Sequence, residues 1–294
     1  MAHVVEDLGL DDIAAIRVGT NGTGELGYPG PEDGGSEQEF WAFGDAPQLG
    51  EGLAEGARRS PMPGWRPGSG SWNGNAVSAV QVTAWWDWYA RSVVDAVVWQ
   101  VTELRSLGFE GRVHVPVAGR GVLPADQVKA VQGRLDGRAN PDGAQERGLD
   151  YAAQFAVLST LPNVDVDFTG LDDVSDVRAR AEEPRQDRCL PGDEEKVLLE
   201  EVHLWSSHRY TSSLARRAGL GLVGENPGPP DSPFTGGSAL SDSLSDQLRR
   251  APAYAAECGM TMFLFGFEDD LFNDRNGVTL EDYGDAMSKL RALN

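Results

Sequence analysis

Apolar positions along the chain follow two periods, and the switches between them mark strands and helices in turn. Residues 13–19 (Ile-Ala-Ala-Ile-Arg-Val-Gly) form a short apolar run before a Gly-rich segment, the pattern of a buried strand. Trp85, Trp88, Tyr89, Val93, Ala96, Val97 and Val101 recur at helical spacing and predict a helix over about 76–107, stopped by Gly108. Residues 112–117 read as a strand, 149–161 as a helix, and 163–168 as a strand of alternating character. The acidic stretch 172–193 reads as an irregular loop and 194–218 as one long helix. A strand at 220–224, a helix at 240–257, an apolar strand at 260–267 and an amphipathic helix at 280–293 complete the pattern.

Strands alternating with helices predict an α/β fold with a parallel sheet, either open or closed into a barrel. The pattern holds five strand–helix units, whereas a TIM-type (β/α)8 barrel has eight. If the sheet is a barrel, the units seen are its C-terminal ones, strands four to eight. One domain over 1–294 is expected. Residues 20–76, rich in Gly and Pro and carrying Phe40, Trp41, Phe43, Trp65 and Trp72, are expected to pack as an active-site lid.

Charge removes several function classes. The 25 basic and 46 acidic residues give a formal net charge of -21. Nucleic acid and anionic membranes both need clustered Lys and Arg, so neither is an expected partner. Neutral ligands such as sugars suit an acidic protein, and the eight tryptophans, mostly in the first third, offer flat faces for sugar stacking or for a core. No run approaches the length of a membrane span. Residues 1–10 lack an apolar signal core, and Cys189 and Cys258 are too few for a disulfide framework. A cytoplasmic, reducing setting is the expectation, unless a native front end is missing.

Two glutamates carry the chemistry. Glu25 and Glu225 each follow an apolar run that reads as a strand. Carboxylates at the ends of two parallel strands suit a glycosidic bond, one protonating the leaving oxygen and the other attacking the anomeric carbon or activating water. An isolated Glu in a turn is more often incidental; the strand-end position and the partner favour catalysis. Other strand ends should face the same pocket, which makes Arg120, Asp167, Phe267 and Glu268 substrate-binding candidates, with Asn21, Tyr28, Trp41 and Asn226 beside the two glutamates. The four histidines form no metal set; His203 and His208, five apart on the expected helix, lack the HExxH spacing. Residues 270–282 fail as a calcium loop, because Phe272 and Tyr283 fall where carboxylates are required. Gly22-Thr23-Gly24-Glu25-Leu26-Gly27 matches G-x-G-x-x-G, but Tyr28-Pro29-Gly30-Pro31 cannot open the helix a dinucleotide needs. P-loop and G-x-S-x-G patterns are absent. No metal or organic cofactor is expected.

On these residues the chain resembles the (β/α)8-barrel glycoside hydrolases, in particular the clan A retaining β-glycosidases. Glu225-Asn226-Pro227-Gly228 looks like the nucleophile region of family 42 β-galactosidases. Gly24-Glu25-Leu26-Gly27-Tyr28-Pro29, with Glu39-Phe40-Trp41 beyond it, looks like the acid region of β-amylases. The resemblance implies that Glu25 is the acid/base and Glu225 the nucleophile of a retaining reaction on a β-glycoside. It departs from clan A at Gly24, where that clan usually has Asn. The alternatives are an inverting, β-amylase-like hydrolase of an α-glucan and a truncated remnant that binds carbohydrate without turnover. A homo-oligomer, or a separate N-terminal half, could complete an open barrel.

Overall fold

Parallel strands separated by helices form the frame expected from the pattern. The computed structural model of the chain describes residues 13–30, 39–137, 143–183, 185–229 and 243–293. Among them the parallel strands are β1 (Ala15–Arg17), β4 (Arg112–Val117), β5 (Val164–Phe168), β6 (Gly221–Glu225) and β7 (Phe263–Leu264), in the order β1-β4-β5-β6-β7. A separate hairpin pairs β2 (Ser71–Trp72) with β3 (Asn75–Ala76) inside the long first loop. No described helix is long and apolar enough to cross a membrane.

The chain forms two compact units, Met1–Val115 with Gly121–Asn163, and Pro116–Arg120 with Val164–Asn294. In the first unit β1 pairs in parallel with β4, Ile16 opposite Val113. Its core is built on the helix α2 (Ala79–Ser106), which follows α1 (Asp45–Leu49). A capping box starts α2: the Ser78 hydroxyl accepts the Gln81 amide, and the Gln81 side chain accepts the Ser78 amide. Trp85, Trp86 and Tyr89 on α2 are buried with Phe40 and Trp65 from the long loop. Trp85 stacks on Tyr89 with centroids 4.9 Å apart and meets Trp65 edge-on at 5.3 Å. Part of the long loop is therefore core, because aromatic area of this size gains most when it leaves water.

The helix α3 (Pro124–Gln132) was not expected; Pro124 stands in its first turn, where a missing amide costs nothing. The helix α4 (Tyr151–Leu158) matches the pattern, with Asp150 accepting the Ala153 amide as its cap.

In the second unit β5 pairs with β6 and β6 with β7, all parallel. The Thr169 amide reaches Val117 O at 2.9 Å, at the end of β4. Three expectations are corrected here. Strand β5 does not alternate in burial: all five residues, Asp165 and Asp167 included, are buried. The acidic stretch is no irregular loop, because Asp173 and Asp176 form a capping box that starts α5 (Val174–Glu182). The long helix is three pieces: α6 (Asp193–Lys196), a 3-10 turn (Glu200–Leu204), and α7 (Ser207–Ala218), restarted by the Ser206 hydroxyl accepting the Arg209 amide. His203 and His208 thus lie on different elements. The helices α8 (Leu244–Glu257), α9 (Glu268–Asn273) and α10 (Leu280–Leu293) follow; the expected start of α8 at 240–242 lies outside the described residues. The last strand keeps only Phe263 and Leu264 in pairing.

The structure also pairs the two cysteines. Cys189 and Cys258, 69 residues apart, are joined as a disulfide with Cα atoms 5.1 Å apart. Two cysteines form no framework, but the fold brings this pair together at the end of α8.

Candidate active site

The second unit gathers predicted residues at the carboxyl ends of its parallel strands, the end where α/β folds place their chemistry. Glu225 is the last residue of β6 and is half-buried. Its backbone carbonyl accepts the Leu171 amide at 2.9 Å, which ties the loop after β5 to the end of β6. Its Oε1 lies 3.0 Å from where a Cβ would stand on Gly266, so a side chain there would crowd the carboxylate. Asn226 is buried and polar on both sides. Its Oδ1 accepts the Gly266 amide at 2.8 Å and its Nδ2 donates to Gln247 Oε1 at 3.1 Å. Gln247 Nε2 in turn donates to Gly228 O at 2.6 Å. The two residues fix the path of the chain just after Glu225.

The other candidates of this unit have defined places. Asp167 points from β5 and is fully buried. Arg120 donates from Nη1 to the carbonyls of His203 at 2.8 Å and Trp205 at 3.4 Å, anchoring the 3-10 turn. Phe267 takes a left-handed backbone (φ 69°) ahead of α9 and packs against the cluster of Leu244, Leu248, Leu271 and Val278. Glu268 is exposed in the first turn of α9.

In the first unit a folded-back loop presents Glu25. Asn21 Oδ1 accepts the amides of Glu25 at 2.8 Å and Thr23 at 3.2 Å, and the Thr23 hydroxyl reaches Glu25 Oε2 at 3.2 Å. The Thr20 hydroxyl donates to Gly27 O at 2.8 Å. The close return requires Gly19, where a Cβ would meet Gly24 O at 1.8 Å. Asn21 therefore shapes the loop and aims Glu25. Tyr28 stacks on Tyr89 at 4.5 Å, and its hydroxyl meets Ser92 Oγ at 2.7 Å. Burial pushes the Tyr28 phenol up, with the Ser92 contact opposing. Trp41 donates from Nε1 to Pro29 O at 3.0 Å. A cleft of about 480 Å³ in this unit is lined by Arg58, Arg59, Asp87, Trp88, Arg91 and Asp150, and none of the predicted site residues borders it.

The pattern of the sequence did not reveal a buried polar cluster in the second unit. Asp172 accepts Arg180 Nη1 and Arg250 Nε, both at 2.9 Å. Asp193 takes the Arg209 guanidinium at two points, 2.8 and 2.9 Å, while that guanidinium lies 3.9 Å over the Trp205 ring. Tyr254 donates to Asp187 Oδ2 at 2.6 Å and accepts Arg180 Nη1 at 2.6 Å. Burial and that Asp187 contact push the Tyr254 phenol far up. Asp173 accepts the Ser207 hydroxyl at 2.7 Å. Burial, then the charge of Asp176, push its carboxyl up to about 7, against the hydrogen bonds of Ser175, Ser207 and the Asp176 amide. His208 is fully buried with Nδ1 2.8 Å from Asp176 Oδ2. Burial alone would lower its imidazole, but Asp176, with Asp173 and Asp187, holds it above the ordinary value. The one signal available was a dense run of acids with Arg interspersed, which reads equally well as solvated surface.

No protein-family model matches the sequence, and no curated protein matches it.

Proposed function

We propose that the chain is a glycoside hydrolase acting on a β-glycoside of a neutral sugar, with Glu225 as the nucleophile of a retaining double displacement. The observation that carries the reading is the setting of Glu225: a half-buried carboxylate at the carboxyl end of a parallel strand, beside side-chain-free Gly266, its neighbour Asn226 clasped between Gly266 and Gln247. This chemistry places its nucleophilic carboxylate at the carboxyl end of a parallel strand. Glu25, its amide held by Asn21, is the residue that the sequence reading assigns as acid/base.

The strand order supports the finer reading of the fold. In doubly wound sheets the order reverses at a switch point. Here the parallel strands run β1-β4-β5-β6-β7 with no reversal, as successive strands of a barrel do. On this reading β1 is strand four of a (β/α)8 barrel and β7 is strand eight.

The deciding experiment incubates the chain with a panel of aryl β-glycosides and the corresponding α-glucosides, and follows the anomer of the first product by NMR. Hydrolysis with retention, and covalent labelling of Glu225 by a 2-deoxy-2-fluoro glycoside, is the expected result. Inversion on α-glucans moves Glu225 to a general base. Sugar binding without turnover overturns the enzyme reading.

A further inference from the structure

The Cys189–Cys258 disulfide stands beside a fully buried histidine. His208 lies in the first turn of α7, fully buried and stacked on Tyr254 with centroids 4.4 Å apart. Asp176 engages its Nδ1. Its Nε2 has no hydrogen-bond partner among the described residues. Such atoms are rare because the lost hydration is not replaced. A ring nitrogen of His208 and the sulfur positions of Cys189 and Cys258 all lie within 4.8 Å of one another.

We propose that the reduced chain holds a divalent cation of the zinc class on Cys189 Sγ, Cys258 Sγ and His208 Nε2, so that a disulfide and a metal–thiolate are alternative closures of one place. Two thiolates and one imidazole form a ligand set that selects zinc over hard cations. Asp176 on Nδ1 is the outer partner that fixes the tautomer and orients the ring. Water completes the tetrahedron. While the disulfide is closed, the sulfurs are not thiolates and no cation binds.

A dithiol reductant converts one state to the other. Its thiolate attacks Cys189 Sγ, the less buried sulfur, and Cys258 leaves as a thiolate. The second thiol of the reductant then displaces Cys189, forming the cyclic disulfide of the reductant and leaving two protein thiols. Two electrons pass from the reductant to the protein. Metal uptake then releases the two thiol protons. Either closure ties down the segment that carries β6 and Glu225. The proposal is independent of the glycosidase reading.

The test is cobalt(II) titration of the full chain before and after dithiothreitol treatment, with excess reductant removed under nitrogen. The reduced chain is expected to bind one cobalt with a thiolate-to-cobalt charge-transfer band in the near ultraviolet, and zinc should displace it. The oxidised chain and Cys189→Ser should lack the band. Asp176→Asn should weaken binding by at least about tenfold, the usual effect of removing an outer partner. Reduced wild-type chain that takes up no cobalt, or takes it up without the band, overturns the proposal. So does a His208→Gln chain that binds as tightly as wild type. If the variants do not fold, the wild-type spectrum still decides.

Discussion

The Oδ1 of Asn226 accepts the amide of Gly266 at 2.8 Å, so the residue after Glu225 is fixed to the residue before Phe267. This bond spans the ends of β6 and β7, whose pairing stops at Glu225 and Leu264. Beyond the last ladder bond, a side chain takes over the work of the backbone.

Asn226→Ala leaves the half-buried Gly266 amide and the buried Gln247 Oε1 without these partners. The expected cost is about 1–3 kcal/mol for each group left unsatisfied, read as a lower midpoint in urea with unchanged slope. Asn226→Asp keeps the acceptor for Gly266 but loses the donor to Gln247, and should fall between Ala and wild type.

Glu225→Gln is nearly isosteric. On the proposed function it should leave the melting temperature within a few degrees and lower turnover of an aryl β-glycoside by at least about a thousandfold. A variant with near-normal turnover rejects Glu225 as nucleophile.

Asp193 is buried and takes two of the Arg209 hydrogen bonds, the others going to Arg185 O and Gln186 Oε1. Asp193→Ala strands a buried guanidinium, so a loss of about 3–5 kcal/mol is expected by chemical denaturation. Replacing both residues with apolar ones should recover much of it, because the cost lies in the unpaired charge.

Asp173 gives a pH signature. Its carboxyl is raised from 3.8 to about 7 in the folded chain. Between those values the folded state holds a proton that the unfolded state has lost, so this group makes stability fall as pH rises, levelling off above about 7. Asp173→Asn keeps a competent cap and removes the titration. The difference in unfolding free energy between wild type and variant should therefore slope across pH 4–7 and flatten beyond. A flat difference would show that Asp173 titrates normally.

The disulfide closes a long loop, its cysteines 69 positions apart in sequence. Chain-entropy reasoning gives about 4 kcal/mol for a loop of this length. In metal-free buffer, the Cys189→Ser, Cys258→Ser double variant should lose a large part of that, seen as a lower denaturation midpoint.

The frame was legible in the sequence because its long elements have unambiguous periods. Helix α2 shows the apolar spacing of Trp85, Tyr89 and Val93, and strand β4 has Val at every second position, Val113, Val115 and Val117. The end of β6 that bears Glu225 was legible for the same reason, whereas Glu25 lies in the loop beyond β1. The acidic segment was misread because composition reports charge and not pairing. Asp172 and Asp193 are buried against Arg180, 8 residues on, Arg250, 78 residues away, and Arg209, 16 residues on, pairings that composition does not report. The break before α7 is written in Ser206 and Ser207, but serine in a polar helix gives little local contrast. The Cys189–Cys258 pairing depends on how α8 packs, which no spacing rule encodes.

The return of the Glu25 loop onto Gly19 limits how this region can be altered. A methyl group at residue 19 would overlap Gly24 O, so that position admits no side chain while the loop keeps its path. Gly22 has nothing within 4 Å of an added Cβ. Libraries meant to retune what approaches Glu25 should therefore leave the strand end alone and vary the tip, where new side chains enter open space without moving the carboxylate.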